Sequence, residues 1–131
     1  MNYRDIVAII YGIPFVWIGV SHFTDPTWFE PIVPEILGNA YFWVILSGVF
    51  EVLIGIGIMI PRLRKVSAAA MVLMLITLYW ANLNMWINYI PLSGRTFEDK
   101  WHILRGVIQV ALIFVALWIG KFPPFKDEMY N

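Results

Sequence analysis

The chain has 131 residues, 60% hydrophobic and 14% charged, with nine basic and nine acidic side chains, no formal net charge and no cysteine. Soluble domains are typically ~45–50% apolar and ~25% charged, so this balance excludes an ordinary soluble domain. Neutrality implies no bulk electrostatic pull toward nucleic acid. Without cysteine the chain cannot run thiol–disulfide chemistry, carry a disulfide or offer thiolates to a metal.

The apolar residues gather into four blocks, each of about 20 residues, the length a membrane helix needs. This predicts an all-α, transmembrane four-helix bundle. It forms a single domain over residues 1–131, bathed in lipid, with no room for a soluble catalytic domain.

The first predicted helix covers residues 3–23. Arg4 and the apolar run after it resemble a signal peptide. No small-x-small cleavage site follows, and the run continues to His22, so it reads as a retained helix. Pro14 inside it predicts a kink or local unwinding, which membrane helices tolerate when neighbours satisfy the freed carbonyl. Residues 25–38 are too short to span. There Pro26, Pro31, Pro34, Glu30 and Glu35 alternate with Trp28, Phe29, Ile32, Val33, Ile36 and Leu37. That pattern predicts a short helix or turn lying at the interface, between the first two spanning helices.

The second predicted helix covers residues 39–60 and stops at Pro61. Near its middle stands a carboxylate, Glu51. An acidic residue at the centre of a membrane helix costs roughly 2.5–3.5 kcal/mol on insertion scales, so a partner is expected. Gly48, Gly55 and Gly57 allow another helix to come close, a packing role. Arg62, Arg64 and Lys65 form a basic turn. The third helix is expected over 66–89, opening with Ser67, Ala68, Ala69 and Ala70, small residues suited to close approach. A polar loop from Pro91 leads to the fourth helix, expected over 100–120, and the tail from Lys121 is Pro-rich and charged.

Arg4, Arg62, Arg64, Lys65, Lys121 and Lys126 fall on one side of such a bundle, Arg95 and Lys100 on the other. The bias places both termini in the cytoplasm and the loop after Pro91 outside.

The polar residues recur at helical spacing. On the fourth helix His102, Arg105 and Gln109 stand at i, i+3, i+7, within one narrow stripe. Tyr79, Asn82 and Trp86 repeat that spacing on the third, while Asn84 points elsewhere. His22 lies near the outer end of the first, on a face with Tyr11, Phe15 and Ile18. Ser47 shares a face with Glu51. Arg105 is the one cation embedded in a helix and Glu51 the one embedded anion. A Glu51–Arg105 ion pair is therefore the economical expectation, direct or through Gln109 or water. Asn82, His22 and His102 would complete a ring around an outward-opening pocket walled by Trp17, Trp43, Trp80, Trp86 and Tyr79. A purely structural network that locks the helices in register is the competing reading. A metal held by His22, His102 and Glu51 is disfavoured, because there is no local ligand motif and Arg105 would repel a cation.

The run Gly19-Val20-Ser21-His22-Phe23, followed by Trp28-Phe29-Glu30-Pro31-Ile32-Val33-Pro34, resembles the start of DoxX-like membrane proteins. The resemblance continues through residues 46–55, residues 60–64, residues 80–85 and the Arg105…Gln109 pair, nearly the whole chain. It implies a four-helix membrane bundle whose polar positions are His22, Glu51, Asn82, Arg105 and Gln109. Some DoxX-like proteins are similar to the membrane subunit of thiosulfate:quinone oxidoreductase. Others accompany redox or detoxification enzymes, and nothing here singles out thiosulfate.

The leading expectation is a bacterial inner-membrane protein that binds a small molecule in the Glu51/Arg105 pocket, within a redox-linked quinone or sulfur-compound system. Glu51 and His22 would be the acid–base groups. Arg105 would anchor an oxygen, with Gln109, Asn82, His102, Trp86 and Tyr79 around a planar ligand such as a quinone. Electrons would come from a redox protein partner, since the chain has no cofactor motif. The rival readings are an accessory or assembly subunit of a membrane complex, and an acid–base enzyme acting on a lipid-soluble substrate. A transporter ranks last, because alternating access would require a homo-oligomer.

Overall fold

A computed structural model of the chain describes residues 2–91, 96–123 and 125. Residues 92–95, with Arg95, and Lys126 lie outside the described residues. Five α-helices follow one another: α1 (Tyr3–Thr24), the short α2 (Pro26–Phe29), α3 (Ala40–Met59), α4 (Arg64–Ile87) and α5 (Asp99–Ile119). Two 3-10 turns, Glu30–Ile32 and Glu35–Leu37, link α2 to α3. The four long helices are all long and apolar enough to cross a bilayer. Their surfaces carry exposed Trp17, Val66, Leu73, Ile87 and Val107, a surface that suits lipid better than water.

Local chemistry sets the ends. The Asn2 side chain accepts from the Asp5 N–H at 2.9 Å and the Asp5 carboxylate accepts from the Asn2 N–H at 3.0 Å, a reciprocal box that satisfies two orphan donors of α1. Asn39 caps α3 with a single bond, its side chain accepting from the Phe42 N–H. It is preceded by Gly38 at φ +83°, a conformation glycine adopts without a Cβ penalty. α1 stays helical through Pro14, so the expected unwinding does not occur.

α4 begins and ends two residues earlier than the hydropathy predicts, and the reason at its start is Arg64. Its guanidinium is buried and donates to the Ile58 and Met59 carbonyls at the end of α3 and to Asp5 of α1 at 2.6 Å. A residue expected to serve only as a topological charge thus closes three backbone and side-chain acceptors at once. Arg64→Met should lower stability by about 1–3 kcal/mol, the cost of leaving such acceptors unmet. Thermal unfolding in detergent checks this, and an unchanged midpoint would refute it.

The long helices form a ring in the order α1, α3, α4, α5, closed by contacts between α5 and α1. We call the end carrying the start of α1 and the end of α5 the base, and the end carrying α2 the top. The hydrophobic cluster runs from the base to mid-height: Ala8, Tyr11 and Phe15 of α1, Ile58 of α3, Met71, Met74 and Leu75 of α4, and Ala116 and Ile119 of α5. α1 is tied to α5 within the same span, through Tyr11 Oη donating to the Leu112 carbonyl at 2.9 Å and Arg4 Nε to the Trp118 carbonyl at 2.9 Å. In the top half the buried residues include Gly19, Pro34, Val44, Gly48, Met85 and three polar ones, His22, Glu51 and His102. Apolar contact does not drive helices together in lipid, whose tails are equally apolar. Close backbone packing and polar clasps carry the fold here.

The segment after α1 caps the top. Asn84 donates to the Ile32 carbonyl at 3.0 Å and Trp43 Nε1 to the Leu37 carbonyl at 2.8 Å. Phe29 lies against the His22 ring, tilted by 31° with centroids 4.0 Å apart.

Candidate functional site

The site grows out of glycine spacing. Gly12 and Gly19 on α1 stand seven residues apart, as do Gly48 and Gly55 on α3, and the helices run antiparallel. Gly12 therefore meets Gly55 and Gly19 meets Gly48. A Cβ added at Gly12 would lie 2.6 Å from the Gly55 carbonyl oxygen, and one at Gly48 would lie 2.7 Å from the His22 Cβ. Backbones in such contact set His22 level with Gly48, within side-chain reach of Glu51 one turn along α3.

His22 Nδ1 lies 2.8 Å from Glu51 Oε2, both side chains buried. Neither atom has a partner with hydrogen-bond alignment. The pair thus meets at ion-pair distance without the ring N–H aimed at the oxygen. Ser47 does not join it, its hydroxyl donating back to the Val44 carbonyl.

The expected Glu51–Arg105 pair does not form. α3 and α5 occupy opposite corners of the ring and do not pack together among the described residues. Glu51 has the α1 neighbour that the glycines bring, and Arg105 belongs to a second cluster between α4 and α5. Arg105, half-buried, donates Nη1 to the soft sulfur of Met85 at 3.4 Å and holds its guanidinium 4.9 Å from the centre of the Phe97 ring. His102, one turn away, is 2% exposed. Its ring stacks on Trp86 (5.5 Å, 11°) and meets Phe97 edge-on. Neither of its nitrogens has a hydrogen-bond partner among the described residues. Leaving a buried polar group unpartnered costs about 1–3 kcal/mol, so this histidine, like the His22–Glu51 pair, carries an unmet cost in the top half.

Below it, Tyr79 packs its hydroxyl over Gly106, where an added Cβ would lie 2.9 Å from that oxygen. Gln109 Nε2 donates to the Leu75 carbonyl. Asn82 is half-buried, and its side chain makes no hydrogen bond among the described residues. At the top, Asp99 accepts from Trp86 Nε1 at 3.0 Å and from Tyr89 Oη at 2.8 Å, clasping α4 to the start of α5. The hydrogen bond to Asp99, then its negative charge, hold the Tyr89 phenol above its ordinary pKa. Alongside this interface runs a groove of about 630 Å³ lined by Ile76, Tyr79, Trp86, Val107 and Gln109. Ile76 and Val107 are more than half exposed, so the groove opens outward, toward where lipid would be.

The residues predicted from helical spacing therefore divide. Tyr79, Trp86, His102, Arg105 and Gln109 share the α4/α5 interface. His22 and Glu51 share the α1/α3 interface. Trp17 and Trp80 face outward rather than walling a pocket, and Trp43 holds the capping segment. Sequence reasoning missed Phe29, Met85 and Phe97, apolar residues whose contact with a histidine or an arginine has no spacing signature. It also set Asn84 aside, although a polar residue late in an apolar helix is a signal for a tether of this kind.

Residues 12–120, most of the chain, match a domain of unknown function (DUF8561). No curated protein and no solved structure matches the chain.

Proposed function

We propose that this chain, which belongs to the DUF8561 family, binds a lipid-soluble planar molecule at the top of the α4/α5 interface. The molecule bears an anionic or carbonyl oxygen, and a quinone is the simplest example. The observation that carries this reading is His102, buried between Trp86 and Phe97 with both nitrogens unpartnered among the described residues and Arg105 one turn away. A ligand oxygen would satisfy the imidazole and the guanidinium together, offsetting a cost that folding alone leaves unmet. A groove of about 630 Å³ runs alongside; it shares Trp86 with the His102 stack, and His102 and Arg105 themselves do not line it, while its volume lies within the roughly 300–1,000 Å³ usual for small-molecule sites. Its opening toward lipid suits a ligand that arrives through the bilayer.

The basic residues Arg4, Arg62, Arg64, Lys65 and Lys121 at the base support a cytoplasmic base and an outward-facing top, by the positive-inside rule. The resemblance to DoxX-like proteins supports a bacterial inner membrane and a redox-linked setting, with electrons supplied by a partner protein. The His22–Glu51 contact supports a second role in the same molecule. Seated on the glycine crossing, it locks α1 to α3.

Binding of a short-chain ubiquinone analogue, followed by tryptophan fluorescence quenching in detergent, tests the reading. Arg105→Leu should weaken binding at least tenfold, the loss of a charge-assisted hydrogen bond being worth about 1.5–3 kcal/mol. Glu51→Gln should change binding less than about threefold while lowering the unfolding midpoint. Undiminished binding by Arg105→Leu would refute the site.

A further inference from the structure

We propose that the base of the bundle carries a second binding site, for the phosphate of an anionic phospholipid headgroup. A cleft of about 250 Å³ there is lined by Asn2, Arg4, Pro61, Arg64, Lys65 and Lys121, with Ile119 and Gly120 as its floor. Four cations from three separate stretches of chain thus surround one small space. Asp5 is a carboxylate beside them among the described residues, and it is bound to Arg64 at 2.6 Å. Arg4 and Lys65 form no ion pair among the described residues.

These cations are held in place rather than left to swing in solvent. Arg4 donates Nε to the Trp118 carbonyl and lies 4.8 Å over the Trp118 ring, which leaves both terminal nitrogens to face a ligand. Lys65 Nζ lies 5.5 Å from the Phe122 ring centre. α5 ends in a tight turn in which Lys121 N–H donates to the Trp118 carbonyl and Phe122 N–H to the Leu117 carbonyl. Lys121 itself sits at φ +58°. That turn delivers Lys121 to the cleft.

Position selects the occupant. Arg4 is in the first turn of α1, Arg64 opens α4 and Lys121 follows α5 directly, so all stand where spanning helices leave the hydrocarbon. Basic pockets between helices at that level suit phosphate-bearing headgroups. The aromatic rings of Trp118 and Phe122 beside the cations match the amphipathic layer just below the phosphates. A guanidinium offers the fork that a phosphodiester oxygen pair accepts.

Native mass spectrometry of the full chain released from detergent tests this, with phosphatidylglycerol, phosphatidylcholine and inorganic phosphate as probes. Phosphatidylglycerol should remain bound and phosphatidylcholine should not. Arg4→Gln and Lys65→Gln should each weaken retention about fivefold. Arg62→Gln should leave it unchanged, because Arg62 shares the basic turn but does not line the cleft. Lys65 is exposed, so its substitution reads binding without disturbing the fold. Equal retention of the two lipids, or an equal loss in Arg62→Gln, would reduce the site to general surface charge and overturn the proposal. Displacement of the lipid by millimolar inorganic phosphate would overturn the choice of a lipid over a soluble phosphate.

Discussion

Replacing His102 with phenylalanine should raise the unfolding midpoint of the protein in detergent and at the same time abolish ligand binding. The imidazole is 2% exposed, flanked by Trp86 and Phe97, and neither nitrogen is hydrogen-bonded among the described residues. An apolar ring of similar shape keeps the stacking on Trp86 and removes the unpartnered nitrogens. The gain should be about 1–3 kcal/mol, a shift of a few degrees for a chain of this size. A histidine that served only to hold helices together would behave oppositely, since its loss would break a bond. A lower midpoint in His102→Phe would therefore sink the ligand reading for this residue. A raised midpoint with quinone-analogue binding intact would move the ligand elsewhere. Stability gained at the expense of function is the signature expected where a fold tolerates a local cost for its site.

The second large effect concerns the glycine crossing. Gly12→Ala combined with Gly48→Ala should separate α1 from α3 and take the His22–Glu51 contact with it. The added Cβ atoms would stand 2.6 Å from the Gly55 carbonyl oxygen and 2.9 Å from that of Gly19, distances that require backbone to move. Overpacking of this kind costs about 1–3 kcal/mol per site. Gly106→Ala provides the contrast. Its Cβ would meet only the Tyr79 hydroxyl, at 2.9 Å, and the end of a rotatable side chain can give way, so the loss should stay below about 1 kcal/mol. The absence of native cysteine allows a direct assay. A cysteine pair placed across α1 and α3 should crosslink readily in the parent and poorly in the double variant. Equal crosslinking, or a Gly106→Ala penalty as large as that of Gly48→Ala, would refute the register.

Much of this molecule is legible from residue type and spacing, and the limits of that legibility have physical causes. Four apolar blocks separated by Pro, Gly and charge specify four spanning helices, because an unpaired backbone has no place in hydrocarbon and only a helix satisfies it locally. The i, i+3, i+7 stripes of α4 and α5 identify five residues that do share one interface, because helical periodicity fixes which side chains lie on one face. Periodicity does not state which helix that face meets. The pairing of Glu51 with Arg105 followed from charge alone, as if all four helices were mutual neighbours. In a ring, each helix has only two neighbours and one diagonal.

Glu51 illustrates the division. Its place in an apolar run marks it, from sequence alone, as a buried carboxylate that needs a partner. The partner is decided by tertiary structure, and specifically by glycines. Gly19 opposite Gly48 and Gly12 opposite Gly55 bring two backbones into contact, and that contact, rather than charge attraction across the bundle, sets His22 against Glu51. The same contact leaves Arg105 and His102 to the α4/α5 side, where aromatic rings, the Met85 sulfur and the charge of Asp99 are their neighbours among the described residues. Chemical type and depth in the membrane are properties of single residues and are readable one at a time. Which polar groups face each other depends on the helix order around the ring and on where small residues let backbones touch, and those are properties of the folded whole.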